Sequence, residues 1–200
     1  MGKSLSKGKI RKLLIMSVTA MMLALFVLPG VAIADTTRST AAEVEFEAGE
    51  LKLIAAPGFD FGTHTISGTT EDYEAVSIDD SIETEDARGT FAGWVVTVAL
   101  SNFEDSSNAT TLAGSYITLK NLSISASNGT AGDPPVAAGA SIKIDCDNSA
   151  VDVLVADPTE GAGSYETTID EADAVLTVLP GTATVDTHSA TMSWEITDAP

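Results

Sequence analysis

Apolar and polar residues alternate with a period of two through most of this chain. "EVEFEAG" sets Val44 and Phe46 against glutamates, and "ELKLIA" does the same with Leu51 and Leu53. "GWVVTVALSNF" places Trp94, Val96, Val98 and Leu100 on one face. Further short runs follow in "GSYITLKNLSISAS", "ASIKIDCD", "VDVLVAD", "AVLTVLP" and "ATMSWEI". Successive strand residues point to opposite faces, so each run is the pattern of a half-buried strand. Turn-rich segments such as "SNGTAGDPP" and "DPTEGAGS" separate them. Short alternating runs bounded by Gly, Asn, Asp and Pro predict an all-β, antiparallel sandwich or barrel-like domain. The acidic, poorly alternating stretch from Ser77 to Ala87 is the one place where a helical turn is expected.

The first residues have a different pattern. Lys3, Lys7, Lys9, Arg11 and Lys12 precede an apolar run from Leu13 to Leu28, then Pro29-Gly30 and Ala32-Ile33-Ala34. Basic start, apolar run, breaker and small-x-small site together predict a secretory signal peptide over residues 1–34, cleaved to leave Asp35 first. The run falls short of the roughly 20 residues that a spanning helix needs. Residues 35–200 are then expected to form one β domain, of a size that supports a single core without disulfides or metal. No cysteine follows the apolar run closely enough for lipid attachment.

Cleavage changes the charge balance. Five of the ten basic residues lie before Ala34 and all 29 acidic ones after it, so the remaining chain carries a formal charge of −24. Nucleic acids and anionic membranes require clustered Lys and Arg, and both are excluded as partners. Direct binding to anionic wall polymers is disfavoured unless divalent cations bridge them.

The residues that carry catalytic chemistry are sparse. The single cysteine, Cys146, shares a strand face with Ile142 and Ile144 and is expected to be a small buried hydrophobe. His64 and His188 stand on apparent strands without a second ligand or an elbow serine, and are expected to be solvated or structurally bonded. With so many carboxylates a chance acid pair has no specificity, so no catalytic residue is assigned. "DCDNSAVDVLVA" lacks the glycine and glutamate of an EF-hand loop. No metal site is assigned and no cofactor is expected, although looser calcium sites built from Asp79, Asp80, Asp86 or Asp105 with loop carbonyls stay open.

Two tryptophans remain. Trp94 is followed two positions on by Val96, and Trp194 by Ile196, so each strand presents an indole beside an aliphatic side chain on one face. Here the chain resembles the WxL surface proteins of Gram-positive bacteria, named for two Trp-x-Leu motifs. "VEFEAGELKLIAAPGFDFGTHTIS" resembles the family's opening segment, "RGTFAGWVVTVALSNF" its first motif, and "LTVLPGTATVDTHSATMSWEITDAP" its closing segment. Valine and isoleucine replace the motif leucines, and His188 stands where tyrosine is frequent.

The resemblance implies non-covalent attachment to the cell wall by binding peptidoglycan; the signal peptide predicts secretion, and the lack of a nucleophile–base or metal constellation predicts that the protein is not an enzyme. The resemblance also implies other WxL proteins and a membrane-anchored companion protein as partners. The alternative is a structural subunit whose main ligand is such a companion. With Pro200 read as the end of the chain, no sorting motif, apolar stop or basic tail is expected beyond it, and non-covalent attachment is the expectation. The motif residues Trp94, Val96, Trp194 and Ile196 are expected to be chiefly structural, with the C-terminal strand bringing Trp194 to meet Trp94 across the sheet. Glycan contacts are expected from loop aromatics near Phe103, Tyr116 or Tyr165.

Overall fold

The computed structural model of the protein describes residues 38–199. The expected signal peptide lies outside the described residues. The compact folded unit begins at Phe46, and its strands form three four-stranded antiparallel sheets and two short ribbons. One sheet has the order β1 (Leu51–Ala55), β5 (Ile82–Asp86), β14 (Gly163–Thr168), β10 (Ser123–Ser127). A second runs β11 (Val136–Ala137), β13 (Val151–Ala156), β6 (Trp94–Leu100), β16 (Met192–Asp198). The third runs β12 (Ser141–Asp145), β9 (Tyr116–Lys120), β15 (Ala174–Val178), β3 (Glu71–Glu74). The ribbons pair β2 (Phe59–Asp60) with β4 (Ser77–Ile78), and β7 (Phe103–Glu104) with β8 (Thr110–Thr111). The only described helix is a 3-10 turn at Glu171–Asp173. The fold is all-β, as the alternation predicts.

β6 is central to the second sheet. Trp94, Val96, Val98 and Leu100 are buried while the residues between them are only partly so. β13 flanks it on one side and β16 on the other. Ile142, Ile144 and Cys146 point into the same core from β12 and its end. Burial raises the Cys146 thiol pKa above its ordinary value, and the thiol lies 2.9 Å from the Ser115 carbonyl.

Two sequence expectations fail for physical reasons. Val44 and Phe46 alternate with glutamates, yet neither lies in a strand and both are exposed, at 72% and 86%. Alternation supplies an apolar face, but a strand also needs a surface on which to bury it. Ser77–Ala87 forms β4 and β5 instead of a helical turn. On β5 the inward residues are Ile82, Thr84 and Asp86, so two polar side chains conceal the period. Asp86 is buried because Arg88 neutralises it.

Candidate functional site

The two tryptophan strands are neighbours. β16 pairs antiparallel with β6, setting Trp194 opposite Val98, Ile196 opposite Val96, and Asp198 opposite Trp94. Residues directly opposite share a face, so both motifs line the same side of the sheet. The two indoles do not meet, however. Trp194 sits four residues along the ladder from Trp94, beyond the reach of direct or diagonal neighbours.

The indoles also differ in environment. Trp94 is fully buried, and its Nε1 donates to the Gly161 carbonyl at 3.0 Å. Gly161 has a φ of 69°, and a Cβ there would lie 2.6 Å from Trp94 Nε1. Glycine is therefore required on two counts, the left-handed backbone and the close approach of the ring. Trp194 is half-buried against the core, and its buried Nε1 has no hydrogen-bond partner among the described residues.

The end of β16 is fastened to the first sheet through Arg88. Its guanidinium donates to both carboxylate oxygens of Asp86 at 2.8 Å, to the Gly93 carbonyl at 3.0 Å, and to Asp198. Hydrogen bonding from Arg88 holds the Asp86 carboxyl below its ordinary range despite burial. One side chain thus joins β5, the turn before Trp94 and the end of the C-terminal motif strand.

Beside the start of β16 opens a cleft of about 870 Å³, within the range of roughly 300–1,000 Å³ usual for ligand sites. One wall is the segment of residues 56–67, and the other is residues 179–194, ending at Met192 and Trp194. Its floor reaches the core at Leu100, Ile117 and Leu176. Ring side chains line it: Phe59, Phe61, Tyr73, Phe103 and Trp194, with both histidines. His64 stacks on Tyr73 with centroids 4.0 Å apart. His188 Nε2 lies 2.9 Å from the Thr184 carbonyl, and Nδ1 lies 2.9 Å from the Thr111 hydroxyl. A carbonyl only accepts, so Nε2 carries a proton. Both histidines are bonded within the fold, as expected, but neither lies in a strand.

Carboxylates stand in the same lining at Asp60, Glu71 and Asp186. The hydroxyls of Thr69 and then Ser67 hold Glu71 below its ordinary pKa, and the Ser106 hydroxyl does the same for Asp186.

Of the three expected glycan-contact aromatics, Phe103 is in the cleft. Tyr116 is elsewhere, on β9, with the Lys143 ammonium 4.2 Å over its ring. Tyr165 is a correction: it lies on β14, 1% exposed, with its hydroxyl donating to the Asp133 carbonyl at 2.9 Å. A ring buried on both faces cannot receive a ligand. Phe59 and Phe61 lie in the stretch that resembles the family's opening segment, but nothing in the sequence there or around Tyr73 marks a ring as a ligand contact.

The carboxylates considered for calcium are engaged within the fold. Asp79 accepts from the Gly58 amide, Asp80 from Ser81, Asp86 from Arg88, and Asp105 from Ser107 and Ala109. Among the described residues no group of three or more His, Cys, Asp or Glu is placed to hold a metal ion.

The domain is acidic and all-β with an aromatic cleft, and no described helix is long and apolar enough to cross a membrane. The model of the WxL domain, described as surface cell wall-binding, matches residues 29–200, and the chain belongs to that family. It is accordingly a cell-surface, wall-binding domain. No curated protein and no solved structure matches it.

Proposed function

We propose that the domain holds the protein to the cell wall by binding peptidoglycan non-covalently, without catalysing a reaction. The observation that carries this reading is the cleft. Its two walls are the segments 56–67 and 179–194, which lie within the opening and closing stretches that resemble the WxL family. The inward residues of β6 are buried, whereas β16 is an edge strand whose residues are at most half-buried; this supports a structural role for Trp94 and Val96, and the cleft beside Trp194 supports ligand contact there. The test is co-sedimentation of the chain from Asp35 with purified sacculi, with and without their anionic polymers. We expect it to pellet with both, and best with stripped sacculi. Protein that stays in the supernatant with either preparation refutes the proposal.

The subunit reading is favoured by a separate feature. β10 is an edge strand of the first sheet, and Ser123–Ser127 carries no charged side chain. Such an edge is open to strand addition by a companion protein. Loss of complex formation on Ser125→Lys, with wall binding kept, is the result that would support it.

A further inference from the structure

Resting on the wall-binding reading, we infer that the cleft is a subsite for the uncharged, N-acetylated sugar chain of the wall, and not for its phosphate-bearing polymers. The charge distribution separates these two ligands. The basic residues of the folded unit that begins at Phe46 are Lys52, Arg88, Lys120 and Lys143, and none of them is among the described residues lining the cleft. Arg88 is committed to Asp86 and Asp198, Lys52 pairs with Glu50, and Lys143 pairs with Asp145. Among the described lining residues a polyphosphate entering the cleft meets Asp60, Glu71 and Asp186 and no Lys or Arg. Each ionised phosphate there faces like charge and gains no compensating hydrogen-bond donor of the kind phosphate sites provide.

A sugar meets the same groups favourably. Pyranose hydroxyls donate to carboxylates, which are acceptors only when ionised. Glu71 and Asp186 accept from neighbouring hydroxyls, which favour their charged forms. The C–H faces of pyranose rings pack on aromatic faces, and Trp194 is a half-buried ring of the lining, while the Tyr73 ring already carries His64 on one face. The apolar floor at Ile117 and Leu176 suits the acetyl methyl, which gains from leaving water. The carboxylates also suit an ammonium group, so a stem-peptide amine is the competing occupant that the experiment must separate.

The experiment uses the chain from Asp35, which contains the whole folded unit. Its binding to a soluble β-1,4-linked N-acetylglucosamine oligosaccharide is measured by calorimetry, beside purified teichoic acid and a synthetic stem peptide. Thr65→Trp and Thr187→Trp put bulk at the mouth, where both threonines are exposed lining residues. Thr197→Trp, exposed on β16 outside the lining, is the control. We expect the oligosaccharide to bind, the two mouth variants to weaken it by about tenfold or more, and the control to match the parent. Teichoic acid should neither bind in the cleft nor compete. Sacculus pelleting without oligosaccharide binding overturns the inference and leaves wall attachment standing, whereas loss of both removes both. Equal binding by mouth variants and control overturns the location. Preference for the stem peptide or for teichoic acid overturns the ligand class.

Discussion

Removing the indole N–H should have opposite consequences at the two tryptophans. Trp94→Phe and Trp194→Phe make the same chemical change, which keeps an aromatic ring and deletes a donor with part of the ring system. Complete burial makes the lost ring atoms worth about 2 kcal/mol at Trp94, at roughly 0.8 kcal/mol per buried carbon. There the substitution also strands the Gly161 carbonyl, which now accepts at 3.0 Å, adding about 1–3 kcal/mol. The expected destabilisation is about 3–5 kcal/mol. At Trp194 the ring is half-buried, and its smaller loss is about 1 kcal/mol. Its N–H, by contrast, is buried without a partner among the described residues, so deleting it relieves a desolvation penalty of about 1–3 kcal/mol. Trp194→Phe should therefore be neutral or stabilising. A difference of about 3 kcal/mol or more separates the melting temperatures by roughly 6–12 °C for a domain of this size. Circular dichroism is the appropriate probe, since each variant also alters fluorescence. If Trp194→Phe melts as low as Trp94→Phe, the assignment of these two environments is wrong.

Arg88→Ala leaves Asp86 buried and unpaired and should cost about 3 kcal/mol, at the lower end for a broken buried pair because the guanidinium is partly exposed; a denaturant melt measures it. Asp86→Asn tests the same clamp by pH. The folded-state pKa of Asp86 is depressed, so its contribution is present above the ordinary aspartate pKa of about 3.9 and is lost as pH falls through the lower, folded value. The stability gap between parent and Asp86→Asn should be widest at neutral pH and close in acid, and a gap independent of pH would contradict it. Gly161→Ala combines a left-handed backbone with a clash against Trp94, for an expected loss of about 2–5 kcal/mol in a thermal melt. Cys146 should resist alkylation in the native state, because the thiol is buried and its pKa raised; rapid labelling at neutral pH would refute this.

The strands that could be read from the sequence were those whose inward residues are all apolar. β6 and β12 obey this rule, and their residues fall on the expected faces. β5 hides because Thr84 and Asp86 point inward; for Asp86 the reason is a hydrogen-bond partner, Arg88, that no periodicity encodes. β13 breaks alternation differently, since Val153 and Leu154 are both buried across a register shift between Asp152 and Leu154. A bulge of this kind depends on the neighbouring strand. The cleft was only half visible for a similar reason. Phe103 and Trp194 drew notice as aromatics, but Phe59, Phe61 and Tyr73 join them through the packing of segments far apart in sequence. Tyr165 looked like a loop aromatic because the turn residues before it conceal its place on β14.

The pairing of β6 with β16 also governs the order in which the protein is able to fold. Trp94 aligns with Asp198 and Leu100 with Met192, so these partners stand about a hundred residues apart, a separation that makes folding slow. During synthesis the β6 segment emerges early and waits for the closing strand. Until that strand arrives, Arg88 lacks Asp198, one edge of β6 stays open to wrong partners, and Trp194 is not yet present to shape the cleft. Wall-binding competence should therefore appear late and abruptly in refolding, in step with β16 docking and after most of the β-sheet signal has been recovered.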